Sequence, residues 1–162
     1  KNNDNRYSTL DGNYFVGVSQ NLQRNQSIRF GYFDSLDDRN NIVFFSDKLI
    51  EKGDDSNVYN HLALGIGWSR YMQSRHNHYG INLSMGIGEY DSTYYLYYEP
   101  AISFGFIYKY CDLWLNVGYI LPVNSTTAVQ SDVPEPNITL NINFGYFNYF
   151  SKELFNASEK FN

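Results

Sequence analysis

The chain has 162 residues, enough for one domain, and 43% of them are hydrophobic, 19% aromatic and only 18% charged. Ordinary soluble domains carry about 25% charge, and a net charge of −5 without basic clusters excludes nucleic acid as a partner. No run approaches the ~20 apolar residues of a membrane helix, and the lone Cys111 excludes an intrachain disulfide.

Eight segments read as strands: 14–21, 26–34, 42–50, 58–72, 79–90, 94–110, 113–121 and 137–150. The third is the least regular. In the fourth, Leu62, Leu64, Ile66 and Trp68 alternate with Ala63, Gly65, Gly67 and Ser69. The fifth sets Gly80, Asn82, Ser84, Gly86 and Gly88 on one face, and the last alternates Ile138, Leu140, Ile142 and Phe144 with Thr139, Asn141, Asn143 and Gly145. A period of two marks a strand with two unlike faces. The links differ in length: 22–25, 73–78 and a tight Cys111-Asp112 turn are short, whereas 51–57 and 122–136 are longer and polar.

The residue types on the second face decide the architecture. A soluble lipocalin-like carrier has the same period, but its outer face meets water and needs many Lys, Glu, Asp and Arg. Here that face is small and neutral, and strand charges reduce to Arg29, Arg70, Glu89, Glu99 and Lys109. Small groups suit the narrow lumen of an eight-stranded barrel whose apolar face meets lipid. Aromatics gather near strand ends (Tyr14, Phe15, Tyr71, Tyr79, Tyr90, Tyr94, Tyr95, Tyr97, Tyr98, Tyr108, Tyr110, Tyr149, Phe150), as expected at membrane–water boundaries. The expected fold is all-β, an eight-stranded antiparallel up-and-down transmembrane β-barrel over 14–150. Residues 1–13 form an N-terminal periplasmic segment and 151–162 a C-terminal tail. Long loops lie outside in such barrels, which puts 51–57 and 122–136 at the external end and 73–78 and 111–112 at the periplasmic one. Lys1 opens the sequence and no apolar leader follows, so we expect a processed chain.

Over 14–150 the pattern resembles the small eight-stranded outer-membrane proteins of Gram-negative bacteria. Asn143-Phe144-Gly145-Tyr146-Phe147-Asn148-Tyr149-Phe150 is similar to their closing strand, with twelve further residues after Phe150. The resemblance implies the bacterial outer membrane, with membrane lipid and lipopolysaccharide as surroundings and a monomeric barrel. Function then belongs to the polar loops 35–41, 51–57, 91–95 and 122–136. Of these, 51–57 and 122–136 are the expected docking sites for a protein partner, the latter with apolar Val123, Ala128 and Val129.

No cofactor motif occurs. His76 and His78 read as solvated turn residues, too few for a metal site. At the external rim, pairing strands four and five around 73–78 places His61 near Tyr90, Asp91 and Ser92, with His61, Tyr90 and Ser92 on the lumen side. A His can activate a Ser that an Asp-oriented imidazole faces. Gly67-x-Ser69-Arg70, His78, Gly80, Asp91-Ser92 and Glu99-Pro100 follow an order that resembles part of the lipid A palmitoyltransferases. In that family an external Asp-Ser pair is catalytic, which implies His61, Asp91 and Ser92 as an alternative acyltransferase site. Its histidine lies on the first strand, and 26–50 here supplies none. Inside the lumen, buried charge needs partners, so a network joining Arg29 and Lys109 to a carboxylate such as Glu99 is expected.

Overall fold

A computed structural model describes residues 14–37, 39–53, 58–72, 76–108, 111–123 and 136–145. The strands are β1 (Tyr14–Asn21), β2 (Gln26–Ser35), β3 (Asn40–Glu51), β4 (Val58–Tyr71), β5 (Asn77–Tyr90), β6 (Thr93–Tyr108), β7 (Cys111–Tyr119), β8 (Leu121–Pro122) and β9 (Pro136–Gly145). Each pairs antiparallel with its neighbours, β8 continues β7 along β6, and β1 pairs with β9, from Phe15↔Gly145 to Asn21↔Thr139. The sheet therefore closes into an up-and-down barrel of eight staves. Closure removes every sheet edge, which a barrel in lipid requires because no water is there to satisfy open backbone groups.

The packing is inverted relative to a soluble protein. Leu62, Leu64, Ile66, Ile81, Leu83 and Met85 point outward and are exposed, while Ser69, Asn82, Ser84, Ser103, Asn116 and Asn141 are buried inside. Soluble monomers rarely expose a contiguous apolar patch above a few hundred Å². A band of Leu, Ile, Val and Phe running round all eight staves belongs in hydrocarbon, as in a transmembrane β-barrel.

The lumen departs from the small, neutral interior read from the sequence. Phe15, Phe33, Val43, Phe45 and Trp114 form one buried cluster; Ala63, Tyr95, Tyr97 and Ile120 form a second, and Tyr71 with Ile107 a third. Phe15, Tyr71, Tyr95 and Tyr97, expected at the membrane boundary, are thus lumen fillers. The glycines make room for them. A Cβ on Gly65 would meet the Phe45 ring at 2.1 Å, one on Gly31 the Phe15 ring at 2.0 Å, and one on Gly88 the Tyr95 ring at 2.4 Å. These are cross-strand partners: Phe45↔Gly65, Phe15↔Gly31 and Tyr95↔Gly88. The irregularity of β3 has the same cause, since Val43 and Phe45 go inward while Phe44 goes outward.

Two connections differ from expectation. Cys111 and Asp112 open β7 instead of making a turn, and Cys111 pairs with Tyr108 and Phe144. Residues 36–39 join β2 to β3 at the end opposite the β1–β2, β3–β4, β5–β6 and β8–β9 connections, so 35–41 cannot act with 51–57. We call the end bearing those four connections the upper rim and the other the lower rim. The segments 1–13, 124–135 and 151–162, with Lys109, Tyr110, Tyr149 and Phe150, lie outside the described residues.

Candidate functional site

Two features at the upper rim and two inside the barrel carry chemistry. At the rim, β4 contains a bulge between Asn60 and Leu62: Asn60 pairs with Gly88 and Leu62 with Ile87, leaving His61 unpaired in the ladder. A one-residue slip sends a side chain to the other face. His61 accordingly turns away from the lumen, and its Nε2 donates to Glu89 Oε2 at 2.5 Å, with the Tyr94 ring 5.5 Å away. Lys52 Nζ reaches the same Glu89 oxygen at 3.6 Å.

Asp91 and Ser92 lie between Glu89 and Tyr94 in the chain. They are the two central residues of the β5–β6 hairpin, both exposed, with φ of 44° and 65°. Positive φ at both positions is the type I′ turn, whose twist matches that of the strands it joins. Among the described residues no hydrogen bond links either to His61, whose imidazole bonds Glu89 instead. Of the other residues shared with the palmitoyltransferase pattern, His78 is 2% exposed and Gly80 packs against the Trp68 carbonyl.

His78 is the residue that sequence reasoning misplaced most. It lies in β5, its Nε2 donates to Asp112 Oδ1 at 2.8 Å, and Trp114 Nε1 donates to the other Asp112 oxygen. Tyr71 stands edge-on to the imidazole at 5.8 Å and Trp114 at 5.2 Å. Since a carboxylate only accepts, the bond fixes the Nε2–H tautomer of His78. This buried Trp–Asp–His group closes the lower part of the lumen beside the Phe15 and Phe33 rings.

Above the Phe45 ring the lumen opens into a polar chamber of about 70 Å³ that extends to Asn21, Asn25 and Asn60 at the upper rim. Arg29 dominates its wall. Nε and Nη2 grip both Asp47 oxygens at 2.7 and 2.6 Å, and the guanidinium carbon lies 4.3 Å over the Phe45 ring. Asp47, which sequence reasoning passed over, is thus the partner of Arg29, because β2 and β3 set the two residues opposite each other. Glu99 lies in the same wall and accepts from Asn137 Nδ2 at 3.0 Å. Asn82 Nδ2 donates to Asn116 Oδ1 at 3.2 Å. The expected network is therefore two separate anchors, Arg29–Asp47 and Glu99–Asn137, and Lys109 falls outside the described residues.

No family model and no curated protein matches the sequence. A solved structure described as "De novo design of transmembrane beta-barrels" is similar to this chain, with 11% identity and a TM-score of 0.45, over 82% of this chain and 92% of that one.

Proposed function

We propose that this membrane barrel is a monomeric integral protein of the Gram-negative outer membrane that works through its upper-rim connections and does not conduct. The carrying observation is the combination of an apolar outer band with a lumen partitioned by the Phe15, Phe33, Phe45 and Trp114 rings. A narrow barrel filled by side chains is a scaffold, and what a scaffold holds out at its rim is what meets a partner. Outward Tyr14, Trp68, Tyr79 and Tyr108 lie toward the lower rim and Tyr94, Tyr98 and Tyr119 toward the upper one. Aromatic belts at both lipid–water boundaries favour such positions. Segments 51–57 and 122–136 leave from the upper rim and supply the partner contact, with Val123 already exposed there.

Three measurements test this reading together. The protein should fractionate with outer membranes, run faster on gels before boiling than after it, and leave planar bilayers without discrete conductance steps. Steady single-channel currents would refute the sealed lumen. Lipid A whose mass spectrum changes with expression, and reverts with Ser92→Ala, would replace the scaffold by an acyltransferase.

A further inference from the structure

Lys48 is out of place on a lipid-facing wall. In β3, Phe45 and Asp47 turn to the lumen, whereas Phe44, Ser46 and Lys48 take the outward face. Its cross-strand partners are the apolar Ile28 and Leu62, and Leu62 is exposed on that face. Lys48 is itself exposed, and among the described residues no carboxylate pairs with it. An unpaired ammonium in hydrocarbon is costly, so an outward lysine lays its stem along the wall and carries its charge to the nearest polar layer. That layer is close, since β3 runs upward only to Glu51.

The upper rim above Lys48 holds further positive charge. Lys52 follows β3 and is exposed; its Nζ lies 3.6 Å from Glu89 Oε2, and His61 takes the same oxygen. One carboxylate thus serves two basic groups, and Lys48 below it has none. Tyr94, the exposed ring beside His61, marks the membrane–water boundary at this place. The lower rim differs: outward Arg70 is near enough to the Asp37 carboxylate to favour its ionised form. Only on the upper side does excess positive charge stand where acyl chains meet headgroups.

We propose that Lys48 and Lys52 form a binding site for the phosphate of an anionic phospholipid in the leaflet at the upper rim. The Lys48 ammonium rises to the phosphate from the hydrocarbon side, Lys52 meets it from the water side, and the acyl chains lie on Leu62 and Ile28. A lipid fits better than phosphate free in solution, because the Lys48 stem stands among apolar side chains. The site rests on the lipid-facing band alone and does not depend on any role of the rim connections.

The test is native mass spectrometry of the full chain, folded in zwitterionic micelles and titrated with phosphatidylglycerol or with phosphatidylcholine of equal chain length. A lysine near an anionic lipid surface contributes about a fivefold preference. Phosphatidylglycerol should therefore fill one site at about fivefold lower concentration than phosphatidylcholine, or lower still, and inorganic phosphate should not displace it. Lys48→Gln should lose that factor, Lys48→Arg should keep it, and Arg70→Gln should leave it unchanged. Glu89→Gln, which releases Lys52, should tighten binding. The fast-migrating unboiled gel band confirms that each variant is folded. The inference is overturned if phosphatidylglycerol binds no better than phosphatidylcholine, if inorganic phosphate displaces it, if Lys48→Gln retains it normally, if Arg70→Gln costs as much, or if Glu89→Gln fails to tighten it.

Discussion

His78 reaches Asp112 by crossing over Gly105. The two residues belong to β5 and β7, and β6 runs between them with Gly105 as the cross-strand partner of His78. A Cβ at that position would stand 2.0 Å from both Cε1 and Nε2 of the imidazole. Gly105→Ala should therefore push His78 off Asp112. Overpacking alone costs about 1–3 kcal/mol, and the loss of one of the two donors to the buried Asp112 adds about 1–3 kcal/mol. Urea unfolding in micelles measures it, and an unchanged midpoint would contradict the bridge.

The seat of Phe45 offers a cleaner test of ring–glycine packing. Gly65→Ala should destabilise by about 1–3 kcal/mol because Phe45 cannot stay flat on β4. Adding Phe45→Leu should recover part of that loss, so the two changes should be non-additive. Strict additivity in a double-mutant cycle would mean that the contact is not the cause.

Membrane placement can be read from one outward residue. Leu64, at the middle of β4, is 64% exposed, and an exposed Leu of a soluble protein tolerates substitution within about 0.5 kcal/mol. In a bilayer midplane, Leu64→Arg costs about 2–4 kcal/mol. Folding into lipid vesicles should show that larger penalty.

The β5–β6 turn is not optimal for its residues. Ser92 holds φ of 65°, a region that costs a non-glycine residue roughly 1–2 kcal/mol. Ser92→Gly should raise stability by up to ~1 kcal/mol in the same unfolding assay, since glycine enters that region freely. Equal or lower stability would speak against a type I′ turn.

At the lower rim, the Asp37 carboxylate accepts the backbone N–H of Arg39 and of Asn40, each at 2.8 Å, and the Asn40 Nδ2 at 2.6 Å. The Arg39 backbone bond, then the Asn40 bonds, hold its carboxyl below the usual carboxylate range. A lowered folded value means the turn is stabilised above the unfolded value of about 3.9 and loses that support as pH falls through the folded value. NMR titration of the Asp37 side chain should give a midpoint below the ordinary value of about 3.9, and Asn40→Ala should raise it.

The strands were legible because lipid imposes a period of two on one face with little interruption. The expected 14–21 and 58–72 agree with β1 and with β4 (Val58–Tyr71) to within a residue. Polar residues were harder to place. In a soluble chain Arg75-His76-Asn77-His78 and Cys111-Asp112 signal turns, but this lumen is polar, so polarity marks burial as often as exposure. His78 and Asp112 look like turn residues and are core ones for that reason. Alternating glycine misled similarly: it indicated a small interior, whereas Gly31, Gly65, Gly88 and Gly105 each answer a ring one strand away, and only the register shows which. His61 was misjudged because the bulge beside Asn60 has no composition of its own.

The partition across the lumen consists of side chains alone; among the described residues no backbone segment crosses the barrel. Phe45 rests on Gly65 and carries Arg29 above it, with Phe15 and Trp114 beneath. Sealing this barrel is consequently a matter of rotamers and ring size, separable from folding. Trimming the rings could join the chamber to the lower compartment without disturbing a single backbone ladder. A watertight plug and a conduit would then differ by a few substitutions on one scaffold.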